Sequence, residues 1–146
     1  GPDGTPQPDD VQALIQYANL HFELAQAALR QGDFATYGAE IAEVEKTLAR
    51  LEQKLAEHFT GRADRLKERV SELGGEMAAL GEDADVQAVF RPLPRVPLLL
   101  SFWDAEAEEG FAPQAHWLFD ASVTHYLDLE SMLFLVEHMM ERLMGK

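Results

Sequence analysis

The sequence predicts an α+β fold: an N-terminal antiparallel helical hairpin, then a small α+β unit with two or three antiparallel strands and a C-terminal helix. Three observations lead there. Phe34, Tyr37, Ile41, Val44, Leu48, Leu51, Leu55 and Phe59 recur in steps of three and four, the spacing that holds apolar side chains on one stripe of an α-helix. A second stripe, Val11, Leu14, Ala18, Phe22, Ala25 and Leu29, precedes it with only Gly32 and Asp33 as a break. Two amphipathic helices joined so tightly fold back and bury their stripes against each other. Beyond Gly61 the pattern shortens to apolar runs of strand length, followed by one further helical stripe.

Taken in order, residues 1–8, with prolines at 2, 6 and 8, read as an extended leader, and Gly1-Pro2 resembles the remnant of a cleaved tag. The hairpin is expected over 9–60 and the α+β domain over 61–146. Asp9 or Asp10 caps the first helix, because a carboxylate accepts the backbone N–H groups that the first turn leaves free. Gly32 closes that helix in the left-handed conformation and Asp33 caps the next. Gly38 inside the second helix suggests a close backbone approach to the first, and Thr60-Gly61 ends the unit.

A charged helix over 63–73, with Leu66, Val70 and Leu73 on one side, stops at Gly74-Gly75. A short helical turn over 76–80 leads into the acidic Glu82-Asp83-Ala84-Asp85 run. Residues 86–91 read as a strand that Pro92-Leu93-Pro94 cannot continue, since proline has no N–H for the ladder. Residues 95–103 are apolar almost throughout, as in a strand covered on both faces. An acidic loop follows over 104–110, then a third short strand over 115–120. Asp128 caps a last helix whose stripe is Leu129, Met132, Leu133, Val136, Met140 and Leu143.

Composition narrows the function classes. No apolar run approaches the roughly 20 residues of a membrane-spanning helix, so direct membrane insertion is not expected. Cysteine is absent, which excludes disulfides, thiolate catalysis and cysteine-ligated clusters within these residues and accords with a cytoplasmic location. The formal net charge is -14. It is uneven: ten acids and four bases over 1–61, seven and six over 62–103, nine and two over 104–146. Such a surface repels nucleic-acid phosphates and anionic lipid and suits a basic protein partner or a cation.

Two stretches resemble known families. Ala25, Ala28-Leu29-Arg30, Gly32-Asp33-Phe34 and Tyr37-Gly38, within residues 14–55, resemble the C-terminal helical hairpin of a family of large multi-spanning membrane proteins of unknown function. Gly74-Gly75, Leu93-Pro94-Arg95-Val96-Pro97, Phe102-Trp103-Asp104, Glu109-Gly110-Phe111, Leu118-Phe119-Asp120 and Tyr126-Leu127-Asp128-Leu129-Glu130 resemble, over residues 73–143, an uncharacterised domain family of bacteria and archaea, many of them anaerobes. Some members carry iron–sulfur modules beside that domain. The resemblance implies a domain without an established activity.

The candidate sites cluster around the acidic loop. Asp104, Glu106, Glu108 and Glu109 offer oxygen ligands of the kind hard cations prefer. They do not form an EF-hand, because Glu109 and Ala115 stand where the loop glycine and the bidentate glutamate belong. A looser divalent-cation set adds His116 or Asp120. Those two are aligned on a helix, but about 13 Å apart on a strand. His21, His58, His116, His125 and His138 contain no paired zinc spacing. Arg95, Trp103, Phe111 and Trp117 are the candidate lining of a ligand cleft among the aromatic groups. No nucleophile elbow, phosphate loop or catalytic set occurs, so no catalytic residue is assigned and no cofactor is predicted beyond a divalent cation. The expected function is a non-catalytic acidic interaction or scaffold domain that binds a protein partner or itself. The alternative is a small-molecule or divalent-metal-binding accessory domain linked to redox or cofactor chemistry.

Overall fold

A computed structural model describes residues 10–78, 83–93, 96–106, 108–119 and 129–144. The expected leader, the alternative cap Asp9, and Arg95, Asp120, His125 and Asp128 lie outside the described residues. The elements are α1 (Val11–Arg30), α2 (Phe34–His58), α3 (Ala63–Glu72), β1 (Glu76–Met77), β2 (Val86–Leu93), β3 (Val96–Trp103), β4 (Gln114–Phe119) and α4 (Leu129–Leu143). The α+β architecture matches the one predicted. Residues group into two compact units, Gly1–Leu51 and Glu52–Lys146, divided within α2.

In the first unit the caps follow the local chemistry. Asp10 accepts the Ala13 N–H at 3.1 Å, and Asp33 accepts the backbone N–H of Thr36 at 3.1 Å and its hydroxyl at 2.6 Å. Hydrogen bonds to the charged form hold the Asp33 carboxyl below its usual range. Gly32 turns the chain at φ 74°, a conformation that costs glycine nothing.

The seam between α1 and α2 differs from the apolar one expected. Leu14, Ala18, Ala25, Val44 and Leu51 are fully buried. Phe34, however, is 71% exposed, and Tyr37, Ile41 and Leu48 are half-buried. Glu40, Glu43 and Thr47 take the buried positions instead. The cause is polar pairing across the hairpin: His21 Nδ1 meets Glu40 Oε2, and the Tyr17 hydroxyl donates to Glu43 Oε1 at 2.7 Å. That bond, with a further one from Lys46, outweighs burial and holds the Glu43 carboxyl low. Satisfying these carboxylates rotates the apolar stripe of α2 partly out of the seam. Gly38 is exposed and a Cβ there would touch nothing within 4 Å, so the expected close approach does not exist.

The second unit is built on a four-stranded antiparallel sheet in the order β1-β2-β3-β4. Residues expected to begin a helical turn form β1, where Glu76 and Met77 pair with Val89 and Ala88. Ladder bonds to a neighbouring strand thus replace local helix bonds. β2 continues through Pro92 to Leu93, with a register irregularity between Phe90 and Leu93 that accommodates the missing N–H. On one sheet face Val86, Ala88, Phe90, Leu98, Leu100, Phe102, Ala115 and Trp117 are buried. Each such large side chain contributes about 1.5–3 kcal/mol. On the opposite face Gln87 and Ser101 are buried, while Leu99 and Trp103 are half-buried.

Gly74 ends α3 at φ 77°. Gly75 has a packing role: a Cβ there would lie 2.7 Å from Phe90 Cε1 and 2.8 Å from Val70 Cγ1. α4 buries Leu133, Leu135, Val136, Met139, Met140 and Leu143, and Arg69 of α3 donates through Nη2 to the Arg142 carbonyl at its end.

Three substitutions test this packing. Val44→Asp adds an unpaired carboxylate beside two buried glutamates and should cost about 3–5 kcal/mol, read as a lowered urea midpoint. Gly75→Ala should cost about 1–3 kcal/mol by overpacking against Phe90 and Val70, whereas Gly38→Ala should be neutral or stabilising in the same measurement.

Candidate functional site

The register of β2 with β3 assembles the site. Val86 pairs with Phe102, so Asp83 and Asp85 before β2 lie beside Asp104 and Glu106 after β3. Asp85 N–H donates to the Phe102 carbonyl at 2.9 Å, and Asp104 N–H donates to Asp85 Oδ2 at 2.7 Å. Beyond β3 the chain forms a tight turn: Glu106 bridges to Phe111, the N–H groups of Glu109 and Phe111 donate to the Glu106 carbonyl, and Gly110 adopts φ 77°.

A cleft of about 230 Å³ results, lined by Asp83, Trp103, Asp104, Glu106, Phe111 and Gln114 with Ala112. Phe111 is 60% exposed at its rim. The lining carries three carboxylates and no cationic side chain. The strain appears in Glu106, whose carboxyl is held above the usual carboxylate range, first by a hydrogen bond with Glu109 and by that group's charge, then by a little burial and the charges of Asp85 and Asp83. Asp104 is satisfied locally: its carboxylate accepts the Gly61 N–H at 2.8 and 3.1 Å and the Ala105 N–H at 2.7 Å.

Four of the residues read from the sequence therefore meet here: Trp103, Phe111, Asp104 and Glu106. Glu108 and Glu109 are exposed in the adjoining turn. His116 points elsewhere, 3.8 Å from Glu52 and edge-on to the Trp103 ring at 5.6 Å. Trp117 is a core residue, packed near Phe90 at a centroid distance of 6.2 Å. Arg95 and Asp120 fall outside the described residues, among which no three His, Asp or Glu side chains gather as metal ligands. Asp83, Asp85 and Gln114 were missed by sequence reasoning. Antiparallel pairing of the two strands was the signal, since it sets residues just before β2 opposite those just after β3.

Glu52, in the last turns of α2, accepts the Trp117 N–H at 2.7 Å. It thereby occupies a backbone donor on the outer edge of β4, the kind of unpaired group through which sheets associate. Burial raises its carboxyl above the usual range, and the Trp117 N–H and His116 draw it back in part.

The family described as a domain of unknown function, DUF3786, matches residues 38–142. The match takes in the C-terminal run that begins near Leu73 and starts further upstream, inside α2. No curated protein and no solved structure matches the chain.

The Glu106–Glu109 contact gives a pH signature. Because the folded pKa of Glu106 is raised, its contribution to stability is fully present below the ordinary carboxylate value and is lost as pH rises through the raised one. Glu109→Gln should move the Glu106 side-chain titration down towards the ordinary range, as followed by carboxyl carbon NMR shifts. An unchanged titration would exclude Glu109 as its cause.

Proposed function

This chain belongs to DUF3786, a family described only as a domain of unknown function, and we propose that it is a non-catalytic interaction domain whose acidic cleft receives a cationic side chain of a protein partner. The observation that carries this reading is the set of carboxylates, Asp83, Asp104 and Glu106, facing one cleft without a cation in its lining. A lysine or arginine entering there would favour the ionised form of Glu106 against the hydrogen bond and charge of Glu109 that raise it. Trp103 and Phe111 supply an indole and a phenyl ring beside the same carboxylates, and aromatic faces attract cations.

The hairpin supports docking by a separate route. Phe34, Leu20, Leu24 and Leu29 are large apolar side chains left exposed in the first unit, and apolar side chains gathered into one patch serve association. The resemblance of residues 14–55 to a membrane-protein hairpin, and of residues 73–143 to a bacterial and archaeal domain, fits a cytoplasmic adaptor with a hairpin part (9–60) and an α+β part (61–146). Among the described residues no helix is long and apolar enough to cross a membrane. The second reading, a divalent-cation or small-molecule accessory domain, draws on the same oxygen-rich cleft.

A single titration separates the two. With the full chain, an arginine-rich decapeptide should shift the amide signals of Trp103, Gln114 and Asp83 saturably. Glu106→Gln should weaken that binding by about tenfold, and 0.5 M salt should weaken it strongly. Shifts at these amides with calcium or magnesium and none with the peptide would favour the second reading. Equal peptide affinity in Glu106→Gln would refute the cleft as the docking point.

A further inference from the structure

A second pocket carries the opposite charge. It lies between the end of α3, β2 and α4, measures about 200 Å³, and is lined by Arg91, His138 and Arg142 over Leu73, Phe90 and Met139, with Glu76 the one acid at its wall. The chain has 12 Lys and Arg against 26 Asp and Glu, so chance would surround a pocket with carboxylates. Here the local balance is inverted.

We propose that this pocket binds a small oxyanion, a carboxylate or phosphate head group. Three arguments support it. First, Arg91 and Arg142 form no salt bridge among the described residues, whereas the neighbouring Arg69 pairs with Glu72. Two guanidinium groups share this wall with a single carboxylate, Glu76, and a bound anion supplies the second counter-charge. Second, helix electrostatics accounts for only part of the cluster. Arg142 sits in the last turn of α4, where a cation complements the helix dipole, but Arg91 belongs to a strand. It follows Phe90 at the register irregularity of β2, and such irregularities re-aim side chains.

Third, the supporting contacts hold the pocket in place. Arg69 Nη2 donates to the Arg142 carbonyl and Arg69 Nη1 to Glu72, fixing the end of α4 against α3. His138 lies parallel to the Phe134 ring, at 9° and 6.2 Å between centroids. Gly75 lets Phe90 approach so closely that a methyl group would clash. The volume sets the ligand class: drug-sized ligands occupy about 300–1,000 Å³, so this pocket fits a small anion. Its floor of Leu73, Phe90 and Met139 accepts a short apolar stem.

This inference does not depend on the acidic cleft, and failure of the peptide titration leaves it standing. Its test uses the full chain at constant ionic strength with inorganic phosphate, phenyl phosphate and benzoate as probes. The proposal expects a saturable rise in melting temperature with at least one probe, and amide shifts at Gly74, Arg91, His138 and Arg142. The probe that binds tightest identifies the head group and whether the stem contributes. Arg91→Gln and Arg142→Gln should each weaken binding by about tenfold or more, while Lys67→Gln, on an exposed part of α3, should leave it unchanged. Should a variant not fold, the amide shifts of the unaltered chain decide. No saturable shift with any probe, shifts mapping elsewhere, or equal losses in all three folded variants would overturn the proposal.

Discussion

Leu98, Leu100 and Phe102 are excluded from solvent along one face of β3, and the second unit is organised by the register this burial imposes. Side chains alternate between sheet faces, so a slip of one residue would move all three to the face where Leu99 and Trp103 are only half-buried and put Ser101 in the apolar core. With β3 fixed, Ala88 and Phe90 must pair with Leu100 and Leu98, and Trp117 with Leu100 on the other side. The acidic cleft is a consequence of that pairing. Asp85 and Asp104, nineteen residues apart in sequence, become neighbours because the strands beside them are in register. Packing of a few apolar groups thus decides where unfavourable charge accumulates.

The hairpin shows a different constraint. Burying an ionised glutamate without a partner costs more than burying apolar surface returns, so Glu40 and Glu43 cannot face α1 unless His21 and Tyr17 meet them. Turning α2 to bury more of Ile41 and Leu48 would separate those pairs and leave their partners unsatisfied. Polar complementarity therefore sets the rotation of α2, and the exposed Phe34 follows from it. The apolar side chains left exposed on the hairpin accompany a seam held by hydrogen bonds.

These two constraints also explain what the amino-acid sequence discloses. Caps, turns and helix spans were legible because Asp10, Gly32, Asp33, Gly61 and Gly74 act through neighbours a few residues away. The strand β3 was legible from its nearly continuous apolar run, though not which face holds Leu98, Leu100 and Phe102, and half of the cleft was legible from the density of acids after Trp103. What stayed hidden depends on partners distant in sequence. Glu40 reads as a solvated residue until His21 is placed opposite it. Glu76 and Met77 read as helix until β2 offers them a ladder. Gly75 reads as a stop signal until Phe90 is found against it. Arg91, one of the pocket cations, carried no local signal at all.

The opposite charges of the two pockets are arranged by one strand. Asp85 precedes β2 at the acidic cleft, whereas Arg91 lies six residues further along, a separation of about 20 Å in extended chain. The Debye length at physiological ionic strength is about 8 Å, so solvent-screened charges at the two ends act almost independently. A cation at the cleft and an anion at the pocket would therefore gain little from each other by through-solvent electrostatics. Any coupling between them has to travel through the sheet itself. β2 is the element placed to transmit it, since its register with β3 builds the cleft and its irregularity after Phe90 sets the position of Arg91.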